Sequence, residues 1–197
     1  MAPIPFPAAV LAGGRSRRMG RPKASLPYGP GTLLEHQTAR LAPLFAETFV
    51  VLKEPPEFPV GPARVLLDRD PGFAAVFGLT RALEEARGPV FVLAVDLPLM
   101  PADLIREIAR RGLESSSPAL VPRAGGLLQP LAAVWKSDAL TVARSRIARG
   151  DLALQGLAEE AGAEILEEEA LRRFDPSAVA FTNLNTIESW VAMRERA

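Results

Sequence analysis

Residues 10–25 of the chain read V-L-A-G-G-R-S-R-R-M-G-R-P-K-A-S. The apolar run Ala8–Leu11 predicts a strand buried on both faces, and it leads directly into Gly13 and Gly14, where no Cβ keeps a ligand from the backbone. The loop beyond them carries five cations, namely Arg15, Arg17, Arg18, Arg21 and Lys23. Such a loop at the carboxyl end of a parallel strand can offer amide groups and positive charge to a polyphosphate.

This loop differs from the two most familiar phosphate-binding loops. It has no lysine directly after a glycine, as the Walker A sequence requires, and it lacks the G-x-G-x-x-G spacing of dinucleotide-binding folds. The sequence therefore disfavours both a P-loop NTPase and a classical NAD enzyme.

The rest of the chain alternates short apolar runs with helical patterns. Further strands are predicted at Thr48–Leu52, Arg64–Leu67, Val90–Ala94, 119–121 and 130–135, the last two flanking a turn at 125–126. Helices are predicted at 33–44, 77–86, 101–111, 138–149, 152–161 and, from a capping-box-like pattern at Asn185 and Glu188, at 185–196. This alternation predicts an α/β fold, a Rossmann-like, mostly parallel sheet flanked by helices, in a single domain over residues 1–197.

Composition excludes several classes of function. The chain has 197 residues with 23 basic and 23 acidic side chains, and this balance argues against a dedicated nucleic-acid-binding protein. It has no cysteine, which rules out disulfide frameworks, thiolate zinc sites and cysteine nucleophiles, and its single histidine, His36, cannot build a metal site alone. No apolar run approaches the roughly 20 residues that span a bilayer, and no basic segment precedes an apolar one at the N-terminus. We therefore expect a cytoplasmic protein without membrane contact.

Two aspartates directly follow predicted strands. Asp96 ends the run F-V-L-A-V-D, which places a carboxylate at the carboxyl edge of the sheet, where Mg²⁺ needs only one or two carboxylates besides phosphate oxygens and water. Asp68 follows the strand Arg64–Leu67 in the same way. The alternatives are a helix cap or turn at Asp96, because Pro98 and Pro101 bend the chain there, and a simple turn at Asp68.

The run L-A-G-G-R-S-R-R-M-G-R-P-K resembles the signature of nucleotidyltransferases, and specifically of the molybdenum cofactor guanylyltransferase (MobA) family. Three further elements resemble that family in the expected order. They are V-D-L-P at 95–98, Q-P-L at 129–131 and F-T-N-L-N-T at 181–186. The resemblance thus extends over nearly the whole chain.

The resemblance implies a Mg²⁺-dependent enzyme that transfers GMP from GTP to molybdopterin, with transient contact to molybdoenzyme chaperones or apo-enzymes. The residues implied to bind GTP are Leu11, Ala12, Gly13, Gly14, Lys23, Asp68 and Asp96. Asp96 would also hold the metal, and the catalytic residues would be Arg18, Lys23 and Asp96. Asn183 and Asn185 are expected on the acceptor side, although each also suits a local turn or helix cap.

Three departures from the family pattern keep other functions open. Leu52 or Lys53 stands where the family usually has an asparagine, residues 72–78 replace G-P-L-A-G, and N-T-I-E replaces N-T-P-E. The first two touch the region expected to recognise the base. One alternative is therefore transfer from CTP or UTP to molybdopterin or a sugar phosphate, although the double glycine favours guanylyl over cytidylyl transfer to molybdopterin. The other is a non-catalytic adaptor that binds a nucleotide and delivers cofactor to an apo-enzyme.

Overall fold

The computed structural model describes residues 2–14 and 22–184 of the chain. Arg18, Asn185 and the helix predicted at 185–196 lie outside these residues. The described strands are β1 Ala8–Leu11, β2 Pro27–Tyr28, β3 Gly31–Thr32, β4 Thr48–Leu52, β5 Arg64–Leu67, β6 Val90–Ala94, β7 Ala119–Ala124, β8 Leu127–Leu128, β9 Ala132–Trp135 and β10 Glu164–Leu166. The described helices are α1 Leu33–Leu41, α2 Ala75–Ala86, α3 Ala102–Glu114, α4 Ala139–Ala148, α5 Leu154–Glu160 and α6 Glu168–Leu171, and Lys23–Ser25 form a 3₁₀ turn.

Within the described residues, eight strands form the main sheet in the order β10-β7-β9-β6-β1-β4-β5, with β8 attached to β7. The pairs β1–β4, β1–β6, β4–β5 and β7–β10 are parallel, whereas β9 runs antiparallel to both of its neighbours. The predicted fold class is therefore confirmed. The chain leaves β1 towards β4 and β5 and then returns to β6 on the other side of β1, so the strand order reverses at β1. In open α/β sheets, ligands bind outside the carboxyl ends of the strands at such a reversal.

The strand β1 is buried because helices cover both faces of the sheet. Ala8 and Val10 belong to the core beneath α1 and α3, and Ala9 belongs to the core beneath α2, α4 and α5. All three are fully buried, as the uninterrupted apolar run predicts. The carboxyl end of β1 is thus held rigidly at the centre of the sheet.

No helix in the described ranges is long and apolar enough to cross a membrane.

Several predicted boundaries were wrong, and two have clear causes. Helix α1 ends at Leu41 rather than residue 44, because Pro43 cannot donate a helical hydrogen bond. Helix α3 continues past Gly112 to Glu114. A Cβ on Gly112 would lie 2.4 Å from the Cβ of Val134, so this glycine lets the helix approach β9 and does not end it.

The second half of the sheet also differs from the prediction. The turn at Gly125 and Gly126, both with positive φ (58° and 76°), joins β7 to the short β8. Strand β9 then begins only at Ala132. The short elements β2, β3, β10 and α6 were not predicted, because two to four residues carry no readable periodicity.

Candidate functional site

A pocket of about 240 Å³ opens at the carboxyl ends of the central strands. It lies where the strand order reverses, between the loop after β1 and the loop after β6. The predicted nucleotide-binding residues that line it are Leu11, Ala12, Gly13, Gly14, Lys23, Asp68 and Asp96. The structure therefore brings together every residue of that predicted set, which the sequence spreads over residues 11 to 96.

Neither glycine of the loop after β1 is required by backbone conformation. A Cβ on Gly14 would meet no heavy atom within 4 Å among the described residues, and one on Gly13 would touch the Cγ of Lys53 at 3.4 Å. Neither residue has the positive φ that favours glycine. The open space beside Gly14 leaves room for a ligand to approach the backbone.

Lys23 and Asp96 form an ion pair at the rim of this pocket. The Nζ of Lys23 lies 2.7 Å from the Oδ2 of Asp96, and the two side chains are only 20% and 19% exposed. Lys23 stands in the 3₁₀ turn that leads into the β2–β3 hairpin, and Asp96 comes two residues after β6. Helix α3 begins at Ala102 with Pro101 as its N-cap, so Asp96 is not the cap of that helix.

The backbone beside Asp96 is bonded on both sides. The N–H of Val95 donates to the carbonyl of Leu11 at 3.2 Å, which joins the loop after β6 to the end of β1. The N–H of Leu184 donates to the carbonyl of Asp96 at 2.9 Å. The F-T-N-L segment near the C-terminus therefore reaches the aspartate directly.

A second pocket, of about 390 Å³, adjoins the first and contains Asn183. The residues that line both pockets are Ala75, Ala94, Asp96 and Leu131. The second pocket adds three amide side chains, those of Gln129, Gln155 and Asn183, to a largely leucine-lined wall. Asn183 thus lies apart from the predicted nucleotide set, and Asp96 stands between the two.

The polar residue that the sequence did not assign to the site is Lys53. Strand β4 ends at Leu52, so Lys53 enters the pocket, where its Nζ lies 2.6 Å from the Oδ2 of Asp68 and donates to the carbonyl of Asp70 at 2.9 Å. The same ammonium lies over the rings of Phe73 and Phe77, at 5.5 and 5.3 Å. Its side chain is only 13% exposed and that of Asp68 only 5%. Lys53 is thus a partly buried cation, at one of the two positions, 52 or 53, that can account for the departure from the family's asparagine.

Asp68 forms a local turn and also lines the first pocket. Its Oδ1 accepts a hydrogen bond from the N–H of Asp70 at 3.0 Å, which is a local turn. Its Oδ2 pairs with Lys53, and the residue lines the pocket. The register explains the pairing: Leu52 lies opposite Leu67 in the parallel β4–β5 pair, so Lys53 and Asp68 leave the sheet side by side.

The residues present suit only an ion that brings other ligands with it. The described ranges hold no group of three or more His, Cys, Asp or Glu side chains arranged to bind a metal. Asp96 offers one carboxylate at the pocket rim, and Mg²⁺ commonly binds through one or two carboxylates plus phosphate oxygens and water. Asp96 therefore fits a metal that arrives with a polyphosphate.

His36, on α1, lines neither of the two pockets. Its ring lies 4.4 Å from that of Tyr28, and burial is the main cause that lowers the pKa of His36 from its ordinary value. A hydrogen bond at the backbone of Pro98, in the loop after β6, raises the pKa of His36 and so opposes this lowering.

Comparison with known proteins gives one consistent family. Residues 8–168 match the family described as MobA-like NTP transferase domain. A probable molybdenum cofactor guanylyltransferase of Mycobacterium tuberculosis is 33% identical over 189 residues, which cover 93% of this chain and 90% of the relative. A protein of the same name from Chloroflexus aggregans is 35% identical over 185 residues, covering 90% of this chain and 88% of the relative.

Two solved structures show the same fold. The molybdopterin-guanine dinucleotide biosynthesis protein A of Archaeoglobus fulgidus superposes with a TM-score of 0.84 at 24% identity, covering 97% of this chain and 98% of that one. The 2-C-methyl-D-erythritol 4-phosphate cytidylyltransferase of Thermus thermophilus superposes with a TM-score of 0.68 at 22% identity, covering 96% and 97%. At these identities the likeness concerns the fold alone.

Proposed function

Because the chain belongs to the MobA-like NTP transferase family and is therefore a nucleotidyltransferase, we propose that it transfers GMP from GTP to molybdopterin. The products are molybdopterin guanine dinucleotide and pyrophosphate. The names of three relatives support the choice of guanine and of the acceptor. The alignment with each relative covers most of this chain and most of that relative. A cytoplasmic location and transient transfer of the product to a chaperone or apo-enzyme are part of the same proposal.

The observation that carries the proposal is the position of Asp96 between two adjoining pockets. The first pocket combines a glycine-lined backbone with Lys23, a combination suited to a triphosphate. The second combines apolar walls with amide groups, including Asn183, a combination suited to a neutral heterocycle such as a pterin. Two substrates bound in these pockets would meet at the Lys23–Asp96 pair.

The proposed reaction does not require the protein to form a covalent bond with either substrate. A phosphate oxygen of the acceptor attacks the α-phosphorus of GTP, the new P–O bond forms, and the bond from the α-phosphorus to the bridging oxygen breaks with release of pyrophosphate. The nucleophile is already anionic, so no general base is required, and the described residues that line the first pocket include no histidine. Catalysis then consists of positioning and charge neutralisation.

Lys23 is placed to neutralise the charge that develops on the departing pyrophosphate, and Gly13 and Gly14 let the backbone approach the phosphates. Arg18 is assigned the same task as Lys23, on the family resemblance alone. Asp96 is the residue that would hold Mg²⁺, which supplies further neutralisation of phosphate charge when it is bound.

The base is assigned to the part of the pocket that holds Lys53 and Asp68. Their pair presents an ammonium donor beside a carboxylate acceptor. Guanine carries the acceptors O6 and N7 together with an amino donor, so it can use both kinds of group. Because Leu52 or Lys53 stands where the family usually has an asparagine, base selectivity is tested directly by comparing nucleotides.

The decisive experiment incubates the purified chain with molybdopterin, Mg²⁺ and each of GTP, CTP, UTP and ATP, and measures pyrophosphate release and the dinucleotide product. We expect the wild type to form product with GTP. The Asp96→Asn variant should turn over at least about a hundredfold more slowly, because loss of one key electrostatic group usually lowers kcat by about 10²–10³. Turnover with CTP or UTP instead of GTP would replace the guanylyl assignment with the alternative reaction. Tight nucleotide binding without pyrophosphate release would establish the adaptor, and failure to bind any of the four nucleotides would refute the proposal.

A further inference from the structure

Two polar side chains of α1 bond to the backbone of the loop that carries Asp96. Gln37 is fully buried, and its Nε2 donates to the carbonyl of Ala94 at 3.5 Å and to that of Val95 at 3.3 Å. Arg40, one turn further along, donates from Nη1 to the carbonyl of Pro98 at 2.5 Å and from Nη2 to the carbonyl of Met100. The four carbonyls lie on both sides of Asp96 in the chain.

The two side chains form one connected unit. The Nη1 of Arg40 also donates to the Oε1 of Gln37 at 3.2 Å, so the acceptor end of the glutamine is used while its donor end holds the loop. In the described ranges no carboxylate lies within ion-pair distance of Arg40, and its guanidinium is only partly exposed. Partial burial of a cation against neutral carbonyls carries a desolvation cost that an ion pair would offset better. Bonds to backbone carbonyls therefore suit a role for Arg40 in fixing the conformation of the loop more than a role in stabilising the fold.

The loop at 95–100 needs such support because it has few bonds of its own. It follows the end of β6, so it has left the sheet ladder, and Pro98 has no N–H to donate. Among the described residues, its backbone–backbone hydrogen bonds are those of Val95 with Leu11, of Leu97 with Ala94, and of Asp96 with Leu184. The contacts from α1 therefore supply a large part of what fixes the loop.

Helix α1 is itself fixed close to Lys23. A complete capping box, formed by Thr32 and Glu35, sets the start of the helix, and the N–H of Leu33 donates to the carbonyl of Leu26 at 2.8 Å. Leu26 directly follows the 3₁₀ turn that begins with Lys23, and its own N–H donates to the Lys23 carbonyl at 3.1 Å. One rigid helix thus connects the segment of the lysine to the loop of the aspartate.

We infer that Gln37 and Arg40 are positioning residues that hold the Asp96 carboxylate in the orientation required by the metal of a Mg²⁺–nucleotide complex, an inference that rests on the proposed function. They touch neither substrate nor metal and act through the backbone at 94–100. Groups that orient a metal ligand usually contribute about 10- to 100-fold to metal affinity. Their loss should therefore weaken what the metal adds to nucleotide binding and leave the remainder intact.

The test compares GTP affinity by calorimetry in EDTA and in Mg²⁺, and the ratio of the two dissociation constants reports what the metal adds. Gln37→Glu keeps the acceptor for Arg40 and removes both amide donors, while Arg40→Met removes the guanidinium and Arg40→Lys keeps the charge without the two-pronged grip. We expect the ratio to fall about 10-fold or more in Gln37→Glu and Arg40→Met, and less in Arg40→Lys, with the affinity in EDTA unchanged. Arg111→Met is the matched control, because Arg111 pairs with Glu107 on α3, away from the pocket. This variant should keep the wild-type ratio.

A double-mutant cycle with Asp96→Asn separates positioning from general stability. If Gln37 acts through the carboxylate, Gln37→Glu should change the ratio little once Asp96 is already asparagine. Equal losses of affinity in EDTA and in Mg²⁺ would overturn the inference, as would additive effects in the cycle. Should Arg40→Met fail to fold, Arg40→Lys and Gln37→Glu decide the question. Wild-type protein that binds no GTP even with Mg²⁺ would instead refute the proposed function, and the positioning role would be refuted with it.

Discussion

Replacing Lys53 by methionine should destabilise the protein by about 3 kcal/mol, because the change strands a buried carboxylate. Asp68 is 5% exposed, and its Oδ2 lies 2.6 Å from the lysine ammonium. Without Lys53 it keeps one described hydrogen bond, from the N–H of Asp70 to Oδ1 at 3.0 Å. Breaking a buried pair by removing one partner costs about 3–5 kcal/mol, and the surviving backbone bond places this site at the lower end.

The comparison that isolates this effect is the double variant Lys53→Met with Asp68→Asn. With both charges absent, no unpaired carboxylate remains, and replacing a whole buried pair by neutral groups is often close to neutral. Urea unfolding of the wild type, both single variants and the double variant gives the four free energies of the cycle. We expect the double variant to be more stable than Lys53→Met.

Two results would refute this reasoning. A cost below about 1 kcal/mol for Lys53→Met would mean that the pair contributes no more than an exposed surface ion pair. A double variant as unstable as Lys53→Met would mean that the loss comes from the contacts of the lysine ammonium with the rings of Phe73 and Phe77, and not from the charge on Asp68.

Three further predictions follow from other parts of the structure. Asp96→Asn should still fold, but Mg²⁺ should no longer strengthen its binding of GTP in calorimetry; an unchanged metal effect would remove Asp96 as the ligand. Hydrogen bonds from Arg110 and then from Arg111 lower the pKa of Glu107 to about 2 from 4.5, so this carboxylate stabilises the fold above pH 4.5 and loses that effect as the pH falls towards 2. Glu107→Gln should therefore cost about 1–2 kcal/mol at neutral pH in urea unfolding, and this cost should disappear as the pH falls through about 2; a pH-independent cost would contradict the assignment. Gly112→Ala should lower stability by about 1–3 kcal/mol in the same assay, because its Cβ would fall 2.4 Å from the Cβ of Val134, and a neutral effect would show that α3 can shift.

The sequence predicted the central strands well because their burial leaves a plain signal. Strands β1, β4, β5 and β6 have the predicted bounds, since each is an apolar run closed by a glycine, a charged residue or a turn. The approach of Lys23 to Asp96 could also be predicted, because parallel strands bring their carboxyl ends to one edge. The start of β7 and the turn at 125–126 were predicted as well, but the end of β7 and the short β8 were not, because Pro122 and two glycines make this pattern ambiguous between strand and loop.

The polar contacts that sequence reasoning missed depend on register and helix rotation. The sequence indicated position 52 or 53 only as a departure near the expected base site, and the pairing of Lys53 with Asp68 follows only once Leu52 is known to lie opposite Leu67. Gln37 and Arg40 belong to no motif, and a helix of mixed polarity does not reveal that its polar residues meet backbone carbonyls and not water. Gln37 and Arg40 are three residues apart, so one helix turn brings their side chains together, but only the structure shows that the glutamine is buried and bonded to the arginine.

The charges in the pocket explain why nucleotide and divalent ion would bind together. The charged side chains of the described residues that line it are two lysines and two aspartates, already paired at 2.7 and 2.6 Å, so their formal charges cancel. A triphosphate that entered without a cation would have to separate Lys23 from Asp96. The Asp96 carboxylate would then face the negative charge of the phosphates, and this repulsion is costly in a partly buried site. If a divalent ion entered with the phosphates, Asp96 would gain a new counter-charge and Lys23 would be free to bind phosphate, so two favourable contacts would replace the one opened pair. The strength of the contact between Asp96 and the ion would depend on the orientation of the Asp96 carboxylate. Loss of the hydrogen bonds from Gln37 and Arg40 to its loop should therefore reduce the increase in GTP affinity that Mg²⁺ produces, and should not change the GTP affinity measured without Mg²⁺.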